Sequence, residues 1–150
     1  MPYQTVTDAN AATDFGYETV QKIRDATRAA IYNLPAWLGG SRRYTVQSTG
    51  YQDAFDARPF IIPDTPSSGA TYKVKVSLKT ADPATTITPR IRNITDATDA
   101  AVGTAEDATS FTEQTLTFTP VVGKEYRLQF VKSNDDAPAW GFGVLQRTDS

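Results

Sequence analysis

The stretch from Thr71 to Lys79 alternates apolar and polar side chains with a period of two. Its apolar members are Tyr72, Val74, Val76 and Leu78, and the polar members between them are Lys73, Lys75, Ser77 and Lys79. This period is typical of a strand that turns one face to a core and the other to water. The stretch therefore predicts a strand of an antiparallel β-sandwich, to which the rest of the chain is attached.

The same alternation recurs further along the chain, for example at Leu116 and Phe118. Together with turn-rich gaps it predicts strands at 44–48, 55–62, 71–79, 87–94, near Val102, and at 113–119, 125–132 and 140–147. Residues 120–124 predict a short hairpin connection between two of them. About eight short strands favour a jelly roll. We therefore predict a mostly β fold, an antiparallel β-sandwich of the jelly-roll type preceded by one N-terminal amphipathic α-helix.

The predicted helix covers residues 7–34 and has one apolar stripe. The stripe consists of Tyr17, Val20, Ile23, Thr27, Ala30, Ile31 and Leu34. Pro35 ends the helix, because proline disfavours helical geometry at the residue before it and brings no backbone donor. Since one amphipathic helix has no second helix in this chain to pack against, its stripe must cover the sandwich, another copy of itself, or a partner.

Residues 35–40 read as a short connector, in which Gly39 and Gly40 predict a hinge or turn. Trp37 and Leu38 are apolar residues within this connector. They either fold back onto the helix or the sandwich edge, or they join the helix stripe in an interface with another subunit. We therefore predict two parts, a helical anchor with its hinge at 1–40 and a β-sandwich domain at 41–150.

Composition excludes several classes of function. The 150-residue chain contains no cysteine and no histidine, which excludes disulfides, thiolate or histidine metal sites and a Ser-His-Asp triad. The net charge of −2 argues against a nucleic-acid platform and against an electrostatic membrane anchor. The first residues lack the features of a signal peptide, and no apolar run is long enough to span a membrane.

The candidates for sugar binding by aromatic stacking are Tyr51, Trp37 and Trp140. Tyr51 follows Gly50 in a predicted loop and is the candidate glycan contact, since exposed aromatic rings stack on sugars. Trp140 is in phase with Phe142 and Val144 and is expected in the core. Carboxylate pairs such as Asp135 and Asp136 read as solvated turn formers. We predict no catalytic residue, no cofactor and no metal. A calcium ion bound by Asp64, Asp135 or Asp136 is the alternative.

A set of short motifs resembles carbohydrate-binding-module-type jelly rolls, which tailed bacteriophages also use as virion domains. The matching pieces are Gly69-Ala70-Thr71-Tyr72, Ile91-Arg92, Val102-Gly103-Thr104, Leu116-Thr117-Phe118 and the segment from Gly123 to Phe130. They cover about half of the chain. The motifs are structural, so the resemblance implies the fold more strongly than any function.

The layout of a helical N-terminus joined to one Thr-rich sandwich resembles that of small virion proteins, such as capsid decoration, head-fibre or neck proteins. The resemblance implies a non-enzymatic structural subunit, made in the host cytoplasm and located in the virion. Its expected partners are other virion proteins (capsid, portal or neck) and copies of itself, with no nucleic acid and no membrane. The alternative is a module that recognises a cell-surface polysaccharide.

Overall fold

A computed structural model describes residues 36–61 and 71–148 of the chain. The described residues form nine strands and no helix. The strands are β1 (Ala36–Gly40), β2 (Gln52–Asp53), β3 (Phe60–Ile61), β4 (Thr71–Thr80), β5 (Ile87–Asn93), β6 (Thr98–Val102), β7 (Thr112–Phe118), β8 (Glu125–Lys132) and β9 (Ala139–Thr148). The predicted helix over 7–34 lies outside the described residues.

The strands form two sheets in which all pairings are antiparallel. The four-stranded sheet has the order β1-β9-β4-β7. The five-stranded sheet has the order β2-β8-β5-β6, and β3 also pairs with β8. The predicted mostly β, antiparallel sandwich architecture is therefore confirmed for the described part of the chain.

The core lies between the two sheets and is filled by alternate side chains of their long strands. The four-stranded sheet contributes Val74, Val76 and Leu78 of β4, which are fully buried. The five-stranded sheet contributes Ile91 of β5 and Leu128 of β8, which are also fully buried. Each strand thus buries one face and exposes the other, which is the reason that the period of two in the sequence locates the long strands correctly.

Strand β9 reverses the size pattern that we expected of a strand. Its inner positions are Ala139, Gly141 and Gly143, which are buried, whereas Trp140 and Phe142 lie on the outer face of the sheet and are half-buried. A Cβ atom at position 141 would lie 2.8 Å from the Phe130 ring, so the opposite sheet leaves no room for a larger residue. The prediction that Trp140 packs in the core is therefore wrong.

The predicted connector at 35–40 contains a strand in place of a hinge. Strand β1 pairs with β9 along the edge of the four-stranded sheet. A Cβ atom at Gly40 would lie 2.1 Å from the carbonyl oxygen of Gly141, and the φ angle of 98° at Gly40 also favours glycine. These glycines permit a close approach of backbones and do not provide a flexible joint. The compact unit that holds both sheets begins at Pro35, six residues before the start predicted for the sandwich.

Three further local predictions differ from the structure. Residues 44–48 form no strand, although Val46 is buried and its amide donates to the Ala139 carbonyl at 2.7 Å. The predicted strand at 55–62 is reduced to β3, because Phe55 and Asp56 form a turn in which Asp56 has a φ angle of 52°. Residues 120–124 do not close a hairpin, since β7 and β8 lie in different sheets and the segment crosses between them.

Candidate functional site

The structure divides the predicted assembly residues into three groups. Tyr17, Val20, Ile23, Thr27, Ala30, Ile31 and Leu34 lie outside the described residues. Leu38 is 1% exposed and belongs to the core, so it is not available to a partner. Trp37 is 43% exposed on the outer face of β1 and remains available. Neighbouring residues of one strand thus have opposite surroundings, as the alternation of a strand requires.

Tyr51, the candidate glycan contact, is half-buried directly before β2. The Arg90 Cζ atom lies 3.7 Å from the centroid of the Tyr51 ring, a cation-π contact that occupies one face of the ring. Burial raises the pKa of the Tyr51 hydroxyl and Asp99 acts in the same direction, whereas the charge of Arg90 opposes them. Tyr51 therefore offers its edge and hydroxyl to a ligand more readily than an open ring face.

Arg90 belongs to a set of paired charges on the outer face of the five-stranded sheet, which we call the polar face. The polar face consists of Tyr51, Asp53, Arg90, Arg92, Asp99, Glu125, Arg127 and Gln129. Arg90 donates from Nε to Gln129 Oε1 at 2.8 Å, and its Nη1 lies 3.1 Å from Asp99 Oδ1. Arg92 Nη1 donates to the same Asp99 oxygen at 2.7 Å. Both arginines of β5 therefore share one carboxylate on β6.

Asp53 makes the second half of the polar face. Arg127 Nη1 donates to Asp53 Oδ2 at 2.7 Å, and Gln129 Nε2 donates to Asp53 Oδ1 at 2.8 Å. Arg127 also donates from Nε to Glu125 Oε1 at 2.8 Å. Partial burial raises the pKa of the Asp53 carboxyl, but the hydrogen bonds from Gln129 and Arg127 and the charge of Arg127 outweigh it and lower that pKa below its usual value.

The electrostatics of the polar face keep Asp53 and Arg127 ionised. The hydrogen bonds from Arg127 to Asp53 and Glu125 raise the pKa of the Arg127 guanidinium. The pKa of the Asp53 carboxyl is lowered, so both shifts favour the charged form of the group. A carboxyl that serves as a general acid needs the opposite shift, a raised pKa. The polar face thus suits charge pairing and hydrogen bonding to a ligand better than proton transfer.

The outer face of the four-stranded sheet is different in composition, and we call it the aromatic face. It consists of Trp37, Arg42, Lys73, Lys75, Lys79, Phe111, Trp140 and Phe142. The Trp37 and Phe142 rings stack with centroids 5.5 Å apart and an interplanar angle of 19°. Phe111 tilts against Phe142 at 5.6 Å. Three aromatic rings therefore form a continuous surface that crosses from the edge strand β1 to the start of β7.

Two cations rest on aromatic rings of this face. The Arg42 Cζ atom lies 5.1 Å from the Phe142 centroid and 5.3 Å from the Phe111 centroid. The Lys79 Nζ atom lies 5.3 Å from the Trp140 centroid. The remaining lysines, Lys73 and Lys75, lie on the outer side of β4 and form no ion pair with a described residue. The aromatic face therefore combines ring surface with positive charge that no acid among the described residues neutralises.

The aromatic face was not predicted from the sequence, although one pattern in the sequence points to part of it. The segment Trp140-Gly-Phe-Gly-Val144 alternates large residues with glycine, and we assigned the large residues to the core. A strand that faces bulky residues of an opposite sheet places its glycines inward instead. Phe111 and Arg42 join the face from segments outside the strands, and no pattern in the sequence places them there.

The part of the chain that the structure describes contains neither a cluster of metal-ligating side chains nor a helix able to span a membrane. Within it, no group of three or more carboxylates is close enough together to hold a metal ion. Asp135, named above as an alternative calcium ligand, pairs with Lys132 at 3.1 Å, and Asp64 lies outside the described residues. Residues 36–61 and 71–148 also include no helix of the length and apolarity that a bilayer span requires.

Comparisons with known proteins gave no match, whether to a protein-family model, a curated protein or a solved structure. The inference of function therefore rests on the sequence patterns and on the two faces described above.

Proposed function

We propose that this protein is a non-enzymatic structural component of a tailed-phage virion. In this proposal a jelly-roll-type sandwich is displayed on the particle or packed against its neighbours, and the N-terminal helix makes the assembly contacts. One observation carries the proposal. The compact unit that holds both sheets begins at Pro35, directly after the predicted helix at 7–34. A boundary at this position suits an anchor followed by a separate domain.

The position of β1 supports the same layout. The chain enters the sandwich at the edge of the four-stranded sheet, and the second residue of β1 is the exposed Trp37. Partly exposed tryptophans are enriched at protein interfaces, because they bury a large apolar area at a small entropic cost. Trp37 can therefore extend the assembly surface of the helix onto the domain.

The non-enzymatic part of the proposal is supported by the polar face. The pKa of Asp53 is lowered and that of Arg127 is raised, so both groups stay charged around neutral pH. Acid–base catalysis instead requires groups whose pKa values approach the working pH. The contacts of these side chains are those of a charge-paired surface.

The experiment that tests the virion proposal is mass spectrometry of density-purified particles, with quantification of the copies per particle. A stoichiometric amount supports a structural role, and its absence from purified particles contradicts the proposal. We expect Ile31→Asp to leave the sandwich folded and to block incorporation, because it places a charge in the apolar stripe of the predicted helix. Ile61→Asp is the matched control, since Ile61 is 57% exposed on β3. Normal incorporation of a folded Ile31→Asp protein would contradict assembly through the helix.

A second candidate function is recognition of a cell-surface polysaccharide. The observation that favours it is the position of Tyr51 beside a row of guanidinium, carboxylate and amide groups on the polar face, since these groups bond well to sugar hydroxyls. The test is titration of a fragment that begins at Pro35 with host-surface polysaccharide. A fragment that begins at residue 41 would lack β1. Saturable binding that Tyr51→Ala abolishes would support this function, and the absence of binding would oppose it.

A further inference from the structure

The positive charges of the described residues fall into two groups according to their surroundings. Six described cations form ion pairs: Arg58, Arg90, Arg92, Lys124, Arg127 and Lys132. The cations of the aromatic face form none with a described residue. The only acid on the outer sides of β4 and β7 is Glu113, opposite Ser77. In a chain with a net charge of −2, this face carries a local excess of positive charge.

Ring surface and free charge occur in the same row of the sheet. Trp37 on β1 pairs with Val144 on β9, and Val144 pairs with Lys75 on β4. Lys75 therefore lies two strand spacings from Trp37, or about 10 Å. The next position along the row is Thr115 on the exposed edge strand β7. One row thus presents an aromatic ring, a lysine and a hydroxyl to the same side of the sheet.

We propose that the aromatic face binds an anionic polysaccharide, one whose sugars carry carboxylates. The apolar C–H faces of the sugar rings stack on the open side of Trp37. The carboxylates pair with Lys73 and Lys75, whose charges are not used within the described protein. Hydroxyls of the polymer bond to Ser77 and Thr115, which offer both a donor and an acceptor.

The same observations favour a polysaccharide over other anionic polymers. A single-stranded nucleic acid carries a phosphate at every nucleotide and binds along a continuous cationic groove with free ring faces. Here Arg42 and Lys79 rest on the rings, so that Phe111 and Phe142 are partly covered. A second copy of this chain is disfavoured as a symmetric partner, because its own aromatic face would bring like charges together.

This inference deepens the second candidate function, the recognition of a glycan, by naming the charge of the glycan and a face other than that of Tyr51. It does not depend on the virion proposal, and it assigns Trp37 to the glycan and not to an assembly contact. The test is calorimetric titration of the full chain with alginate, a polymer of uronic acids, and with neutral dextran. We expect alginate to bind at least about tenfold more tightly than dextran, which corresponds to about 1.4 kcal/mol. We also expect weaker binding at about 1 M salt, where the Debye length is about 3 Å.

Substitutions test whether alginate binds to the aromatic face. Trp37→Ala and Lys75→Gln are each expected to weaken alginate binding by about fivefold or more, a loss of about 1 kcal/mol. Phe55→Ala is the aromatic control, since Phe55 is 51% exposed and its ring stacks on Tyr44, which is not part of the aromatic face. Lys124→Gln is the charge control, since Lys124 is paired with Asp96. Both controls are expected to bind as the unmodified protein does.

The other outcomes overturn the inference in distinguishable ways. Binding of dextran as tight as that of alginate would overturn the anionic ligand and leave the glycan-binding function intact. Binding of single-stranded DNA or poly-L-glutamate as tight as that of alginate would reduce the effect to charge alone and contradict a sugar ligand. If Tyr51→Ala abolished binding while Trp37→Ala and Lys75→Gln did not affect it, the ligand would belong to the polar face. If no polymer bound, both the inference and the glycan-binding function would fall.

Discussion

On the polar face, every charged side chain that we describe has an opposite charge within hydrogen-bonding distance, supplied by a neighbouring strand or, for Glu125, by Arg127 of the same strand. On the aromatic face, the cations are either stacked on rings or have no acidic partner among the described residues. Both faces belong to sheets of similar size that share one core. The difference therefore arises from the outward-facing residues alone and not from the architecture.

This difference shows that the charges on one face of a sandwich can be paired within the protein, while charges on the other face have no described acidic partner and can pair with a ligand. A ligand for the polar face must displace bonds that already exist, and each displaced bond reduces the net gain. A ligand for the aromatic face meets Lys73 and Lys75, whose charges lose only their hydration. The aromatic face is therefore the better candidate for a binding surface, although Tyr51, the residue that sequence reasoning selected, lies on the polar face.

The largest expected effect on stability comes from a substitution that disturbs the packing of β1, the edge strand that carries Trp37. Gly40→Ala places a Cβ atom 2.1 Å from the Gly141 carbonyl oxygen at a residue whose φ angle is 98°. The strained backbone and the contact with main-chain atoms together predict a loss of about 3–5 kcal/mol in the free energy of unfolding. Urea unfolding measures this loss. Gly50→Ala is the control, because a Cβ atom there meets only the Ser48 hydroxyl at 3.5 Å. Equal stability of the two variants would contradict the close packing of β1.

A smaller effect distinguishes the two sides of β1. Leu38→Ala removes a core side chain that is 1% exposed and is expected to cost about 3 kcal/mol. Trp37→Ala removes a surface ring whose stacking on Phe142 is worth about 0.5–1.5 kcal/mol. Thermal unfolding of both variants measures the ratio. If Trp37→Ala were the more damaging substitution, Trp37 would have a structural role larger than its exposure indicates.

A structural feature can be predicted from the sequence when it depends on residues that are close together in the chain. The long strands are predicted to within one or two residues, because each has its own apolar alternation, as between Tyr72 and Leu78. The bounds of β9 are predicted to within one residue as well, but its inward face is not, because its glycines are explained by Phe130 and Leu128 of the opposite sheet. The crossing at 120–124 also depends on which sheet each strand joins, and alternation within a strand carries no information on that choice.

The candidate sites show the same limit. The contact of Tyr51 with Arg90 joins residues that are far apart in sequence, and so does the bond from Arg127 to Asp53. The position of Tyr51 after Gly50 in a predicted loop was a reason to select it, but no pattern in the sequence predicts its contact with Arg90. The aromatic face is assembled from residues on β1, β4 and β9 and in two irregular segments, and it becomes visible only when the strand order is known.

The smallest expected effect compares a paired charge with an unpaired one. Asp53→Asn removes the carboxylate that binds Arg127 and Gln129 and is expected to cost about 0.5–1 kcal/mol at pH 7, the range of a partly exposed ion pair. Lys75→Gln removes a charge without a described partner, and its effect on stability is expected to stay within about 0.5 kcal/mol.

The pH dependence of this pair of variants identifies the cause. The pKa of Asp53 is lower in the folded protein than its ordinary value, so the stabilisation is present above about pH 4 and is lost as the pH falls through the lowered pKa. The difference between the unmodified protein and Asp53→Asn should therefore shrink in urea unfolding at about pH 3, while that for Lys75→Gln should not change. A difference for Asp53→Asn that stayed constant from pH 7 to about pH 3 would show that Asp53 acts through packing and not through its charge.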